Sequence, residues 1–145
     1  MLNKFPFLLL AMTMALSANI HAADAHHGHE HGSPAPVLRL DAGKPWPTDE
    51  PLRQAMGEIN QAMAKALPTI HRQAFGDGEY QALAATVRER VAYVVDHCKL
   101  EAQADAMLHL VIADLLAGAE IMDGKTANPR HDGAVRVRAA LKAYR

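Results

Sequence analysis

The sequence predicts an all-α protein whose main domain, residues 48–145, is an up-down four-helix bundle. Alanine is abundant and only 5% of the residues are aromatic, a composition that favours helices over a β-sandwich. Apolar residues recur three and four positions apart in four separate segments, which is the spacing of one face of an α-helix. No alternating Val and Ile stretch supplies a sheet, so the four helices should bury their apolar faces against one another.

The first helix begins with a clear start signal. Thr48 is expected to be its N-cap, with Asp49 and Glu50 in the first turn. Its apolar face comprises Leu52, Met56, Ile59, Met63, Ala66 and Ile70. Pro68 lies within this pattern, so we expect the helix to kink or break there. The Gly-Asp-Gly sequence at 76–78 should end the segment.

The other three helices follow at short intervals. The second is expected to run from Glu79 to Cys98, and the third from about Glu101 to Gly124. Asn128–Pro129 fits an N-cap and the first residue of a fourth helix, which continues to the carboxyl end. In up-down order, the starts of the first and third helices share one end of the bundle with the finishes of the second and fourth.

The amino terminus has the pattern of a secretory signal peptide, which we assign to residues 1–22. Lys4 precedes an apolar run of twelve residues, Phe5–Leu16, and small polar residues follow. This run is too short to span a bilayer, which takes roughly 20 apolar residues. Cleavage after Ala22 or Ala23 would leave an exported protein, periplasmic or secreted, with no membrane-spanning segment.

Residues 23–47 form the predicted lead between the signal peptide and the bundle. Prolines and glycines interrupt this segment, so we expect it to be flexible or extended, with Val37–Leu40 packing as a short arm. Removing Lys4 with the signal peptide leaves 14 of the 15 Lys and Arg against 16 Asp and Glu. This near-neutral balance argues against nucleic acid as a partner, because such binding needs clustered positive charge.

The lead also holds the sequence's densest set of metal ligands. His26, His27, His29 and His31 alternate with small residues, so neighbouring imidazoles can reach one ion without a prepared fold. Imidazole suits Cu, Zn and Ni. A mature chain starting at Asp24 would add its amine and two backbone nitrogens to the His26 imidazole, a square-planar set for Cu(II) or Ni(II). The alternative is a soluble spacer whose histidines are incidental.

A second, more speculative metal site is predicted where helix ends meet in the bundle. It comprises Met56, His97, Cys98, Met107 and His109, with Tyr144 nearby. Thioether, thiol and imidazole ligands together suit copper, especially Cu(I). The competing interpretation is that the methionines and Cys98, the only cysteine, fill the core. His71 and His131, at the opposite end near Asp77 and Asp132, are weaker candidates for zinc.

Two resemblances add to these expectations. The first-helix sequence LRQAMGEIN, residues 52–60, resembles the small periplasmic four-helix b-type cytochromes, in which a methionine at the place of Met56 is an axial haem ligand. The second axial ligand of those cytochromes is a histidine, and the corresponding position here holds Leu141. Haem is therefore not the expected cofactor. The runs WPTDEPLRQAM and HCKLEAQADAMLHLVIADLLAGAEIM are similar to small exported bacterial proteins known as DnrO-like. That resemblance implies fold and compartment rather than an activity.

The leading functional hypothesis is an exported, non-catalytic helical protein that binds a transition metal, Cu before Zn or Ni. No Gly-rich phosphate loop, HExxH motif or nucleophile elbow points to an enzyme. One alternative is a haem-binding electron carrier of the four-helix cytochrome type. The other is a structural or interaction module without a cofactor, such as a homodimer formed through an exposed helix face.

Overall fold

The computed structural model describes residues 37–144, which form four α-helices and contain no β-strand. Their bounds are Glu50–His71 for α1, Asp77–His97 for α2, Ala102–Met122 for α3 and Arg130–Tyr144 for α4. The all-α class and the number of helices are therefore confirmed. The predicted signal peptide and the His-rich part of the lead lie outside the described residues.

The helices form a ring in chain order. α1 packs on α2, α2 on α3, α3 on α4 and α4 on α1, with the α3–α4 interface the most extensive and the α1–α4 interface the narrowest. The core lies between them, and the six residues of the predicted α1 face are all buried. None of the polar or charged residues within 37–144 is buried. Burial of these apolar faces is thus the main stabilisation of the bundle.

The start of α1 lies one residue beyond the prediction, because the N-cap is Asp49 rather than Thr48. Asp49 Oδ1 accepts a hydrogen bond from the Leu52 backbone N–H at 3.0 Å, and its backbone is extended (φ −93°, ψ 175°). Its other carboxylate oxygen accepts from the Lys99 N–H at 2.6 Å, just beyond α2. Thr48 instead accepts hydrogen bonds from the Arg53 guanidinium. The contact with Lys99 explains why Asp49 takes the cap position.

The starts of the other three helices also differ slightly from the prediction. α2 begins at Asp77 rather than Glu79, since the Glu79 carboxylate accepts a hydrogen bond from the Gly76 N–H at 2.7 Å and so closes the first turn. α3 begins at Ala102, and α4 begins at Arg130 rather than Pro129. The Gly-Asp-Gly sequence therefore opens α2 instead of ending α1.

Pro68 lies inside α1 and does not break it. The helix continues through Pro68 to His71, and the chain leaves helical geometry at Gln73, whose φ is +56°. A proline removes one backbone hydrogen bond. Ile70, only 4% exposed, packs the turn after Pro68 into the core, and this burial offsets the lost bond.

Residues 37–47, called here the arm, fold against one end of the bundle. Asp41 and Lys44 exchange two backbone hydrogen bonds of 2.8 Å across a tight turn. The two central residues of the turn, Ala42 and Gly43, both have positive φ, 47° and 83°. The Trp46 indole N–H donates to the carbonyl of Arg39, which ties the two sides of the arm together.

None of the helices within residues 37–144 has both the length and the apolar character needed to span a bilayer.

Candidate functional site

The four histidines of the leading metal hypothesis, His26, His27, His29 and His31, lie outside the described residues. The described part of the chain starts at Val37, six positions after His31. Residues 38–40 and 45–47 of the arm line a pocket at the bundle end that holds the start of α1 and the finish of α4.

A small polar cluster lies at the same end, as the up-down prediction required. The Cys98 thiol donates to Asp49 Oδ1 at 3.4 Å, while Asp49 Oδ2 accepts from the Lys99 N–H. The side chain of Tyr144, at the finish of α4, hydrogen-bonds with Thr48. One carboxylate thus joins the start of α1 to the residues that follow α2.

The pKa values of the two acidic groups of this cluster, the Asp49 carboxyl and the Cys98 thiol, are shifted in opposite directions. Burial of Asp49 acts to raise its pKa, but hydrogen bonds from the N–H groups of Lys99 and Leu52 outweigh it and hold the pKa of Asp49 below its usual value. Burial, followed by the hydrogen bond to Asp49, raises the pKa of Cys98 to about 11. Cys98 is therefore a protonated thiol at neutral pH, whereas a metal ligand needs the thiolate.

The other members of the speculative second site differ in burial and in the groups that they contact. Met56 is 2% exposed and packs in the core, whereas Met107 is half-buried at the start of α3. His97 and His109 are exposed, and each directs Nδ1 at a carbonyl of its own helix, Tyr93 O at 2.9 Å and Asp105 O at 2.8 Å. The His97 ring also stacks on Tyr93 at 4.3 Å.

Residues 37–144 contain no group of three or more His, Cys, Asp or Glu placed to hold a metal ion. At the opposite end, His71 and His131 line the same surface depression. Asp77, near these histidines, forms an ion pair with Arg130, whose Nε lies 3.2 Å from Asp77 Oδ1. His131 Nδ1 lies 3.5 Å from Asp132 Oδ1.

The two positions that the cytochrome resemblance relates do lie together. Met56 and Leu141 line one groove between α1 and α4, next to Tyr144. Leucine has no atom that can ligate iron, so Met56 would be the only ligand contributed by this pair.

An apolar cavity of about 150 Å³ lies between the arm and the bundle end that holds the start of α1. It was not predicted from the sequence. The arm contributes Leu38, Leu40 and Trp46 to its wall, and the helices contribute residues from α1, α3 and α4. The apolar sequence of residues 37–40 and the single tryptophan were the available signals. The turn that places them over the bundle could not be anticipated.

Comparison of the chain with protein-family models, curated proteins and solved structures gave no significant match.

Proposed function

We propose that the chain is an exported, non-catalytic protein that binds a transition metal, Cu before Zn or Ni, through His26, His27, His29 and His31. The observation that carries this proposal is the presence of four imidazoles within six positions, directly ahead of a folded helical domain. Neutral imidazole binds all three metals, and the small residues between the histidines let several reach one ion. Asp24 and Glu30 supply oxygen donors beside them.

The protonated thiol of Cys98 argues for the histidine segment over the second site. Cys98 would have to lose a proton held with a pKa of about 11 before it could bind a metal well. The bundle then serves as the stable body of the protein, and the metal is bound on the chain ahead of it.

Native mass spectrometry of protein recovered from the exported fraction of the cell tests this proposal. The expected spectrum shows a chain starting at Ala23 or Asp24, with a mass increase of one or more metal ions and no haem. A chain that retains residues 1–22 would contradict export, and a haem adduct would favour the electron carrier. A dimer without metal would favour the interaction module.

The same measurement on a variant with all four histidines changed to alanine locates the metal. The matched control is the His97→Ala/His109→Ala double variant, which removes two exposed imidazoles from the bundle. We expect the first variant to lose the metal and the second to keep it. Equal metal content in all forms would contradict the assignment.

A further inference from the structure

The cavity at the bundle end has walls contributed by several separate parts of the chain. Leu52 comes from α1, Met107 and Val111 from α3, and Tyr144 from α4, while Trp46 closes it from the arm. Leu52 and Val111 are almost fully buried, 1% and 5% exposed, so they form its deep side. Leu40, 60% exposed, lies on the arm at the side open to solvent.

The side-chain polar groups of Trp46, Thr48 and Tyr144 at this cavity have partners within the protein, and the one charged side chain of the wall, Arg39, lies on its exposed side. The Trp46 indole N–H donates to the Arg39 carbonyl, and the side chains of Tyr144 and Thr48 hydrogen-bond with each other. Burial raises the pKa of Tyr144, so its phenol is uncharged at neutral pH. A water molecule needs two to four polar partners to be held in a cavity, and these walls offer it few. The space therefore suits an apolar occupant.

The volume sets the size of that occupant. An enclosed apolar cavity of about 150 Å³ accepts a molecule of the size of benzene. This pocket has the same volume and an apolar deep side, and it opens to solvent beside the arm. We propose that this cavity is a binding site for a small, uncharged, apolar molecule of about six to eight non-hydrogen atoms, such as a single aromatic ring. This proposal and the proposed metal binding by the histidines do not require each other.

Trp46 provides the readout, since it is the only tryptophan of the chain and lines the cavity. Toluene is titrated into the chain starting at Ala23, with excitation at a wavelength that only tryptophan absorbs. We expect a saturable change in Trp46 emission with a dissociation constant of about 0.1–1 mM, the range that so few atoms can reach. At ten times this constant the unfolding temperature should rise by about 5 °C.

Filling the cavity from its wall should abolish binding. Ala104, 3% exposed, is the natural position, and Ala104→Leu adds three carbon atoms there. Ala143→Leu, on the exposed side of α4, is the second variant if the first does not fold. Gly57→Ala is the control, because a methyl group at Gly57 meets no atom within 4 Å. We expect at least a tenfold weaker affinity in a folded leucine variant and an unchanged affinity in the control.

Two results would overturn the proposal. The first is that toluene, up to its solubility limit, changes neither the emission of Trp46 nor the unfolding temperature. The second is saturable binding with the same constant in the wild type and in a folded Ala104→Leu or Ala143→Leu variant, which would place the toluene elsewhere.

Discussion

Gly118 of α3 and Gly133 of α4 bring the backbones of the two helices into direct contact. A Cβ atom added to Gly118 would lie 2.8 Å from the Gly133 carbonyl oxygen and 2.7 Å from Val137 Cγ2. A Cβ atom added to Gly133 would lie 2.5 Å from the Gly118 carbonyl oxygen and 2.7 Å from the Met122 nitrogen. The most extensive helix interface of the bundle therefore depends on two residues without side chains.

Alanine at either of these glycines should destabilise the bundle. The clashing atoms are mostly backbone, which cannot rotate away, so we expect a loss of about 1–3 kcal/mol in the free energy of unfolding, the range for overpacked sites. Urea denaturation of Gly118→Ala and Gly133→Ala measures it. The control is Gly57→Ala in α1, where the added methyl group meets open space. It should stabilise by about 0.5–1 kcal/mol, because glycine in a helix is less favourable than alanine. Equal effects at all three sites would contradict the close contact.

Removing the Asp49 carboxylate should loosen the end of the bundle. Asp49→Ala loses the N-cap of α1 and the hydrogen bond to Lys99, and we expect a loss of about 1–2 kcal/mol at pH 7. Because hydrogen bonds hold the folded pKa of Asp49 below the unfolded value of about 3.8, this stabilisation is fully present above that pH. It is lost as the pH falls through the folded pKa.

Urea denaturation of the wild type and Asp49→Ala at pH 7 and at pH 3 or below checks this dependence. The difference between the two proteins should shrink towards the lower pH. A difference that stays constant over this range would show that the Asp49 charge does not contribute.

Cys98 should react slowly with thiol reagents. A pKa of about 11 instead of 9.0 leaves about a hundredfold less thiolate at neutral pH than an ordinary cysteine has. The alkylation rate at pH 7.5 should be low in the folded protein, rise through pH 10 and recover in urea. Asp49→Asn removes the neighbouring charge and should therefore raise the rate at pH 7.5. Identical rates in the wild type and Asp49→Asn would contradict the contribution of Asp49.

The helices could be predicted because apolar residues repeat with helical spacing, as from Leu52 to Ile70. The start of α1 differs from the prediction by one residue. Thr48 and Asp49 are both good caps, and the contacts with Cys98 and Lys99, 49 and 50 positions away, favour Asp49. Local propensity disfavours proline inside a helix and so predicts a kink or a break at Pro68, whereas burial of Ile70 keeps that turn in place.

Features that depend on two elements meeting in space could not be obtained from the sequence. The contact of Gly118 with Gly133 has no local signal, because either glycine alone would suggest only a weaker helix. The cavity depends on the arm folding back through Ala42 and Gly43 at positive φ, and alanine rarely adopts that conformation. The proposed metal ligands, in contrast, rest on the sequence alone.

Calorimetric titration of Cu(II) is the most direct test of the central claim, that the four histidines ahead of the bundle bind a transition metal. The chain starting at Ala23 is compared at pH 7.4 and pH 5 with the variant that has His26, His27, His29 and His31 changed to alanine. We expect the wild type to bind Cu(II) tightly at pH 7.4. Its binding should be much weaker at pH 5, because imidazole gains a proton near pH 6.5. The variant should lose this binding at both pH values. Equal uptake by the two proteins at pH 7.4, or no uptake by either, would contradict it.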